Sequence, residues 1–342
     1  QLTEEEKSKG VIASSAGNHA QGVALAAKEN GIPCVICMPD GAPISKVEAT
    51  KAYGAKVCLV KGAYDDAYDY ACELQEKEGY TFIHPFNDPE VIAGQGTIGL
   101  EILDQLSDVE VVLVPVGGGG LISGVAYAIK KLHPECKVYG VQAAGSASME
   151  QSLKQHEPIT LDTAATFADG IAVKHPGDLT FELVSKYVDG VVTVTDDETA
   201  CAILALMEKQ KLVTEGAGAV AVAAAMFGKV DIRGKKTVCL LSGGNIDVNI
   251  LSRVISRGLT IAGRNSTLTL QLEDKPGQLT DVSEIISRNG GNVVRVHYNQ
   301  ADPNLAITSC YLTLSIETRD GEQVEKIKKD LAASGFQLVS HT

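Results

Sequence analysis

A chain of 342 residues exceeds one ordinary hydrophobic core and predicts two or three domains. Hydrophobic residues at 44% and charged residues at 21% are the balance of a soluble globular protein, and a formal net charge of −13 with no basic tract argues against nucleic acid, whose phosphates are held by Lys and Arg. No apolar run reaches the roughly eighteen residues of a membrane span, the start Gln1-Leu2-Thr3-Glu4-Glu5-Glu6 is not a secretory signal, and eight cysteines without framework spacing predict reduced thiols and a cytoplasmic setting.

In chain order, the first two-thirds alternate short apolar runs with helical patterns, which predicts βα units around a parallel sheet. Residues 10–14 read as a strand, followed by a Gly/Asn loop and an Ala-rich helix at about 20–30. A strand at 33–38, a helix at 45–53 and a strand at 56–60 come next. Cys34-Val35-Ile36-Cys37 has the spacing of a redox or zinc pair, but residues three apart on a strand face opposite sides, so buried, divergent thiols are expected. In the helix 97–106, Ile98, Ile102, Leu103 and Leu106 share one face. The nearly unbroken apolar run 109–116 suits a strand covered on both sides. After a glycine run come a helix at 121–132 and a strand at 137–142, then a strand at 190–194, helices at 197–209 and 217–227, and a strand at 237–241. The expected first domain is 1–263, with a smaller subdomain at about 10–84.

From about Arg264 the texture changes. Leu268, Leu270 and Leu272 alternate along a strand; Leu279, Val282, Ile285 and Ile286 have helical spacing. Val294, Val296 and Tyr298 and then Cys310, Leu312, Leu314 and Ile316 mark two more alternating strands. Val324, Ile327 and Leu331 form a second helical face before a last short strand at 336–339. That order is βαββαβ, a ferredoxin-like domain over 264–342.

Three strand-to-helix junctions carry unusual residues: Ser14-Ser15-Ala16-Gly17-Asn18-His19, Gly117-Gly118-Gly119-Gly120-Leu121 and Ser242-Gly243-Gly244-Asn245. In a parallel sheet all three fall at the carboxyl ends of strands, where α/β ligand sites form. Four successive glycines let the backbone approach a ligand and turn several N–H groups on one anion, with the positive end of the next helix behind them. A phosphate monoester is the natural guest. A tight turn without a ligand is the alternative, and the two companion loops favour the site. A dinucleotide fingerprint fails, because it needs a further glycine at Ile122 or Ser123 and an acid where the next strand ends in Gln142.

With Val91-Ile92-Ala93-Gly94-Gln95-Gly96-Thr97, Ala168-Asp169-Gly170 and Thr214-Glu215-Gly216-Ala217-Gly218, these loops stand in an order that resembles the fold-type II pyridoxal 5'-phosphate enzymes, and within them the threonine/serine dehydratase group. The resemblance covers nearly all of residues 10–251. It implies an α/β fold with a two-subdomain parallel-sheet core. It also implies pyridoxal phosphate as cofactor, with Gly117, Gly118, Gly119, Gly120 and the Leu121 amide on its phosphate. Ser15, Gly17, Asn18 and His19 match the loop for the substrate carboxylate, Asn18 also reaching the cofactor's phenolic oxygen; for His19 a helix-start residue satisfied by the backbone is the other reading. Ser242 matches the residue facing the pyridine nitrogen, where a neutral hydroxyl favours elimination over transamination. Glu215 matches an acid close to the cofactor, and equally suits a first-turn carboxylate drawn by the helix dipole.

The implied reaction turns L-threonine, or L-serine, into 2-oxobutanoate, or pyruvate, and ammonia by loss of the β-hydroxyl. It starts from a lysine Schiff base, whose freed lysine takes the α-proton while the cofactor phosphate assists the leaving hydroxyl. The family places that lysine in a Ser-Phe/Tyr-Lys-x-Arg-Gly motif upstream of the Ser15 loop, and no such motif occurs in Gln1 to Thr342. Lys46 is only superficially similar and falls where the family has an ordinary surface helix. The chain by itself is therefore expected not to form the Schiff base. Serine racemases of the group carry a serine at Ala16 and acids at Gln142 and near Ser148 for a divalent metal; none is present, so neither racemization nor a metal is expected. A non-catalytic amino-acid sensor on the same fold is the reading from another class.

The C-terminal module resembles an ACT domain, with Asp274-Lys275-Pro276-Gly277-Gln278-Leu279 at the first strand–helix turn and Gly290-Gly291-Asn292 before the second strand. The likeness implies a small-molecule effector bound at Pro276, Gly277, Gln278, Leu279 and Asn292, with isoleucine or valine expected in a biosynthetic role. It also implies pairing between subunits, hence a homo-oligomer.

Overall fold

The computed structural model describes residues 2–62, 64–303 and 305–339. Contacts divide the chain into two units, one running to Ala202 and resuming over Lys211–Ile246, the other comprising Ile203–Gln210 and residues from Asp247 onward. No helix among the described residues is long and apolar enough to cross a membrane, and all eight cysteines are free.

The first unit begins with the short helix α1 (Glu4–Lys9), then β1 (Val11–Ser14), α2 (Asn18–Glu29), β2 (Cys34–Pro39), α3 (Ile44–Ala52), β3 (Lys56–Val60), α4 (Tyr64–Glu78) and β4 (Thr81–Phe82). The four strands form one parallel sheet in the order β3-β2-β1-β4. Alternation along the strands sends Val11, Ala13, Cys34, Ile36 and Met38 against Ala20, Ala24 and Ala27 of α2. It sends Ile12, Val35 and Cys37 against Ala67 and Ala71 of α4. Small alanines let both helices lie close to the sheet. Cys34 and Cys37 consequently face opposite sides of β2, and burial pushes their thiols up to about 11 and about 12. Neither is a redox pair.

There follow α5 (Pro89–Gln105), β5 (Val111–Pro115), α6 (Gly120–Leu132), β6 (Lys137–Ala143), α7 (Ser148–Gln155), α8 (Asp178–Tyr187), β7 (Gly190–Val194), α9 (Asp196–Ala205), α10 (Gly216–Met226) and β8 (Thr237–Cys239). The second parallel sheet has the order β7-β6-β5-β8. Val112, Val114 and Val116 pack with Ile122, Val125 and Ile129 of α6 in its core. Helix α5 starts at Pro89, eight residues before the predicted start at 97. Asp88 caps it, accepting from the amides of Glu90 and Val91. Its early turns carry Gly94 and Gly96, which hide the apolar periodicity. Gly96 and, one turn on, Gly99 belong to a close helix seam: a Cβ on Gly96 would lie 3.2 Å from the Gly124 carbonyl, and one on Gly99 2.9 Å from the Val125 carbonyl.

The second unit contains α11 (Val248–Ile261), β9 (Asn265–Glu273), α12 (Gln278–Arg288), β10 (Asn292–Asn299), β11 (Ser309–Glu317), α13 (Gly321–Ala333) and β12 (Gln337–Leu338). From β9 onward the order is βαββαβ, and the sheet is antiparallel in the order β10-β11-β9-β12. Leu268, Leu270, Leu272, Leu312 and Leu314 bury against Val282, Ile285, Ile286, Ile327 and Leu331 of the two helices. Strand β10 departs from its predicted pattern. Val294, Val296 and Tyr298 are exposed, and Val293 packs on the core instead. A register shift between Val293 and Arg295 and the strand's place at the sheet edge account for this.

Candidate functional site

In the first unit the carboxyl ends of β1, β4, β5 and β8 converge on one cavity of about 1780 Å³. Each strand is followed by a loop that supplies part of its wall. After β5, residues Gly117 to Leu121 line the cavity. Gly119 is left-handed, with φ +97°, and caps the start of α6. Among the described residues the amides of Gly117 through Leu121 find no acceptor. They form an array of N–H groups at a helix start, which is the arrangement that binds a phosphate.

The other side of this loop is tightly supported. Thr180 Oγ1 donates to the Gly118 carbonyl at 2.6 Å. A Cβ on Gly118 would meet the Phe86 ring at 2.5 Å, and one on Gly120 the Phe86 Cα at 2.8 Å. Phe86 is itself placed by His84, whose Nδ1 accepts from the amides of Phe86 at 3.2 Å and Asn87 at 2.8 Å. Asn87 Oδ1 in turn accepts from Leu179 at 3.1 Å, tying the turn to the start of α8. A nitrogen accepting two main-chain hydrogens must be unprotonated. Burial and the neighbouring His19 hold the His84 pKa below its usual value, against a weaker opposing pull from Asp88. Because the folded pKa is depressed, the neutral imidazole stabilises the fold above about pH 6.5, and that contribution is lost as pH falls through the folded value. Thermal melts between neutral and mildly acid pH are expected to show the loss, and His84→Asn should flatten that slope. An unchanged slope in the variant would count against the assignment.

After β1, Gly17 precedes α2, and its amide donates to Ser15 Oγ at 3.1 Å. The amides of Asn18 and His19 at the helix start also lack an acceptor among the described residues. The His19 ring, in contrast, is occupied: its Nε2 lies 2.8 Å from the Ile83 carbonyl, and burial lowers its pKa. What His19 offers an anion is its main-chain N–H. After β8, Ser242 lines the same cavity.

Glu215, 4% exposed, closes the arrangement. Its Oε1 accepts from Asn18 Nδ2 at 2.7 Å and its Oε2 from the Asn245 amide at 3.2 Å, while Asn245 Nδ2 donates to Asn18 Oδ1 at 3.0 Å. Burial raises its carboxyl pKa; Asn18, Asn245 and Lys46 oppose this and Asp169 adds to it. Although Glu215 stands at the N-cap position of α10, its side chain makes no capping bond. Its hydrogen bonds go to Asn18 and Asn245 across the cavity, while its place at the start of α10 also suits a carboxylate.

A family model described as a pyridoxal-phosphate dependent enzyme matches residues 1–243. The chain belongs to this family. An L-threonine ammonia-lyase of Thermotoga maritima is 52% identical over 337 residues, covering 98% of this chain and 84% of that one. Among solved structures, the processed form of threonine deaminase isoform 2 from Solanum lycopersicum has a TM-score of 0.72 at 43% identity, covering 75% of each chain. Maize serine racemase has a TM-score of 0.70 at 37% identity, covering 76% of this chain and 80% of that one.

As a pyridoxal-phosphate-dependent enzyme, the chain has residues that fit its cofactor. The orphan amides at 117–121 suit the phosphate, and the cavity beside them has room for the ring. Gln142 and Ser148, at the positions where racemases carry metal-binding acids, are otherwise employed. Gln142 accepts from the Glu150 amide at 2.8 Å, and Ser148 donates to the Val173 carbonyl at 2.8 Å. Lys46 lies on α3, a largely exposed helix whose only buried residues are Val47 and Thr50. Its side chain lines the cavity from there, with its Nζ 2.7 Å from Asp169 Oδ2. His84 and Phe86 on the cavity wall and Thr180 behind the glycine loop are residues that sequence reasoning passed over, and Asn245 was noted only as the end of the Ser242 loop. The run His84-Pro85-Phe86-Asn87-Asp88 held the one usable signal, a proline turn ending in a helix cap.

The predicted effector residues divide. Pro276 and Gly277 form the turn after β9 and Gln278 and Leu279 the first residues of α12, with Gly277 at φ +94° and open space where a side chain would stand. Asn292 begins β10 at the far end of α12, whose 11 residues span roughly 16 Å. There its Nδ2 donates to Glu317 Oε2 at 3.0 Å. Within one chain Asn292 does not join the other four.

Proposed function

We propose that this enzyme deaminates L-threonine, and L-serine more generally, by eliminating the β-hydroxyl, with 2-oxobutanoate or pyruvate and ammonia as products. The observation that carries the reading is the pair of orphan-amide arrays, at residues 117–121 and 18–19, lining one cavity. One suits a phosphate ester and the other an amino-acid carboxylate. Pyridoxal phosphate, when bound, supplies the electron sink for charge developing at the substrate α-carbon. The chain's own part is to bind and orient. Gly117 to Leu121 hold the phosphate, Asn18 the phenolic oxygen, and Ser242 offers the ring nitrogen a neutral hydroxyl. The Ser15–His19 loop receives the carboxylate with its main-chain N–H groups. Lys46, paired with Asp169, is not assigned the covalent role.

The C-terminal unit is read as an ACT domain that binds a small amino acid at Pro276, Gly277, Gln278 and Leu279. The βαββαβ order and the open, left-handed Gly277 support this. Pairing of such units implies a homo-oligomer, and the free thiols suit the cytoplasm. The test is the protein made from its whole reading frame, supplied with pyridoxal phosphate and L-threonine. Equal amounts of ammonia and 2-oxobutanoate are expected, at a rate that isoleucine or valine alters. Absence of a 2-oxo acid from both threonine and serine would overturn the reading.

A further inference from the structure

Asn18 can meet a ligand with either end of its amide, and the two ends have opposite chemistry: the nitrogen donates and the oxygen accepts. In this structure the choice is made by two neighbours. The Glu215 carboxylate lies 2.7 Å from Asn18 Nδ2, and Asn245 Nδ2 lies 3.0 Å from Asn18 Oδ1. Turning the amide over would set its oxygen against a carboxylate and its NH2 against another NH2. Both contacts would become repulsive. Asn245 is held by the same carboxylate, through its main-chain amide at 3.2 Å. Glu215 reaches this position only because residue 243 is glycine; a side chain there would collide with Glu215 Oε1 and approach Asn18 Nδ2 at 3.1 Å. The second Asn18 N–H has no acceptor among the described residues.

We propose that Glu215 is a positioning residue rather than a cofactor ligand: by fixing the Asn18 amide with the help of Asn245, it ensures that Asn18 meets the cofactor's ring hydroxyl only as a hydrogen-bond donor. A donor there favours the ionised ring oxygen. An Asn18 free to turn presents its own oxygen part of the time and favours the protonated form. The inference rests on the cofactor-site reading above and concerns how one of its residues is held.

The test is a double-mutant cycle on the full chain, with pyridoxal phosphate as the probe. Equilibrium dialysis reads its affinity, and absorbance against pH reads the ionisation of its ring hydroxyl. Glu215→Ala and Asn18→Ala are each expected to weaken binding about tenfold, the size of one charge-assisted contact. Combined, they should be no worse than Asn18→Ala alone, within about twofold. The ring hydroxyl should ionise at higher pH in Glu215→Ala. Glu215→Gln, which keeps the shape and one acceptor, guards against a folding defect; it should weaken binding less than alanine yet move the ionisation in the same direction. Additive losses in the double variant, or an unmoved ionisation in Glu215→Gln, would overturn the proposal while leaving the cofactor site standing. If the unaltered chain shows no saturable binding, the site reading itself falls, and this inference with it.

Discussion

Replacing Gly119 with alanine is expected to weaken pyridoxal phosphate binding at least about a hundredfold, equivalent to roughly 3 kcal/mol. Two costs combine. The residue sits at φ +97°, where an L side chain is strained by about 1–3 kcal/mol. Its Cβ would also lie 2.7 Å from Met149 Cε and 2.9 Å from Thr180 Cβ. Met149 is a flexible chain end and can yield, but Thr180 cannot move freely, because its hydroxyl anchors the Gly118 carbonyl. The loop must therefore shift, and with it the orphan amides, each worth about 1.5–3 kcal/mol against a charged group. Equilibrium dialysis with the cofactor reads the loss, and a thermal melt separates it from unfolding. Affinity within about threefold of the unaltered protein would mean that this bend is not the phosphate site.

Gly124→Ala is expected to produce the largest loss of stability. The added Cβ would point from α6 into the main chain of α5, colliding with the Ile92 carbonyl and lying 2.6 Å from the Gly96 amide and 3.0 Å from the Gln95 carbonyl carbon. Main-chain atoms cannot rotate aside as a side chain can. The two helices must separate along the seam that Gly96 and Gly99 also form, at the expense of packing around Ile98, Ile102 and Val125. Overpacking of this kind costs about 3 kcal/mol, which for a unit of this size lowers the melting temperature by roughly 10 °C. Gly22→Ala in α2 is the control, since nothing lies within 4 Å of its added carbon. It should be neutral or stabilise by about 0.5 kcal/mol. Equal melting temperatures for the two variants would refute the seam argument.

The parallel strands and their glycine loops were legible because each is a local signal: a short β-branched run, then residues chosen for backbone freedom. Strand 56–60 and strand 190–194 coincide with β3 and β7 to the residue. Helix α4 was not anticipated, because its acidic outer face, from Asp65 to Glu78, masks a buried stripe of only two alanines, Ala67 and Ala71. The segment from 144 to 189 gave no elements, yet contains α7 and α8, whose role is to brace the glycine loop through Met149 and Thr180. Such support is long-range. Thr180 is 62 positions from Gly118, and Asn18 is 197 from Glu215. Nothing in a local pattern announces those pairings. His19 shows the converse: a residue singled out for its loop spends its ring on the Ile83 carbonyl, as its backbone-satisfied alternative had it. The edge strand β10 shows that alternation marks a strand without stating which side is covered.

The bond between Lys46 and Asp169 bears on how the cavity exchanges its contents. One partner's side chain is 62% exposed, so the pair is worth under about 1 kcal/mol and weakens further at raised ionic strength. A free-energy difference of that size corresponds to no more than about a fivefold population ratio. Salt alone should therefore change the association rate of a small zwitterion only modestly, and its residence time is set by the contacts it makes once inside.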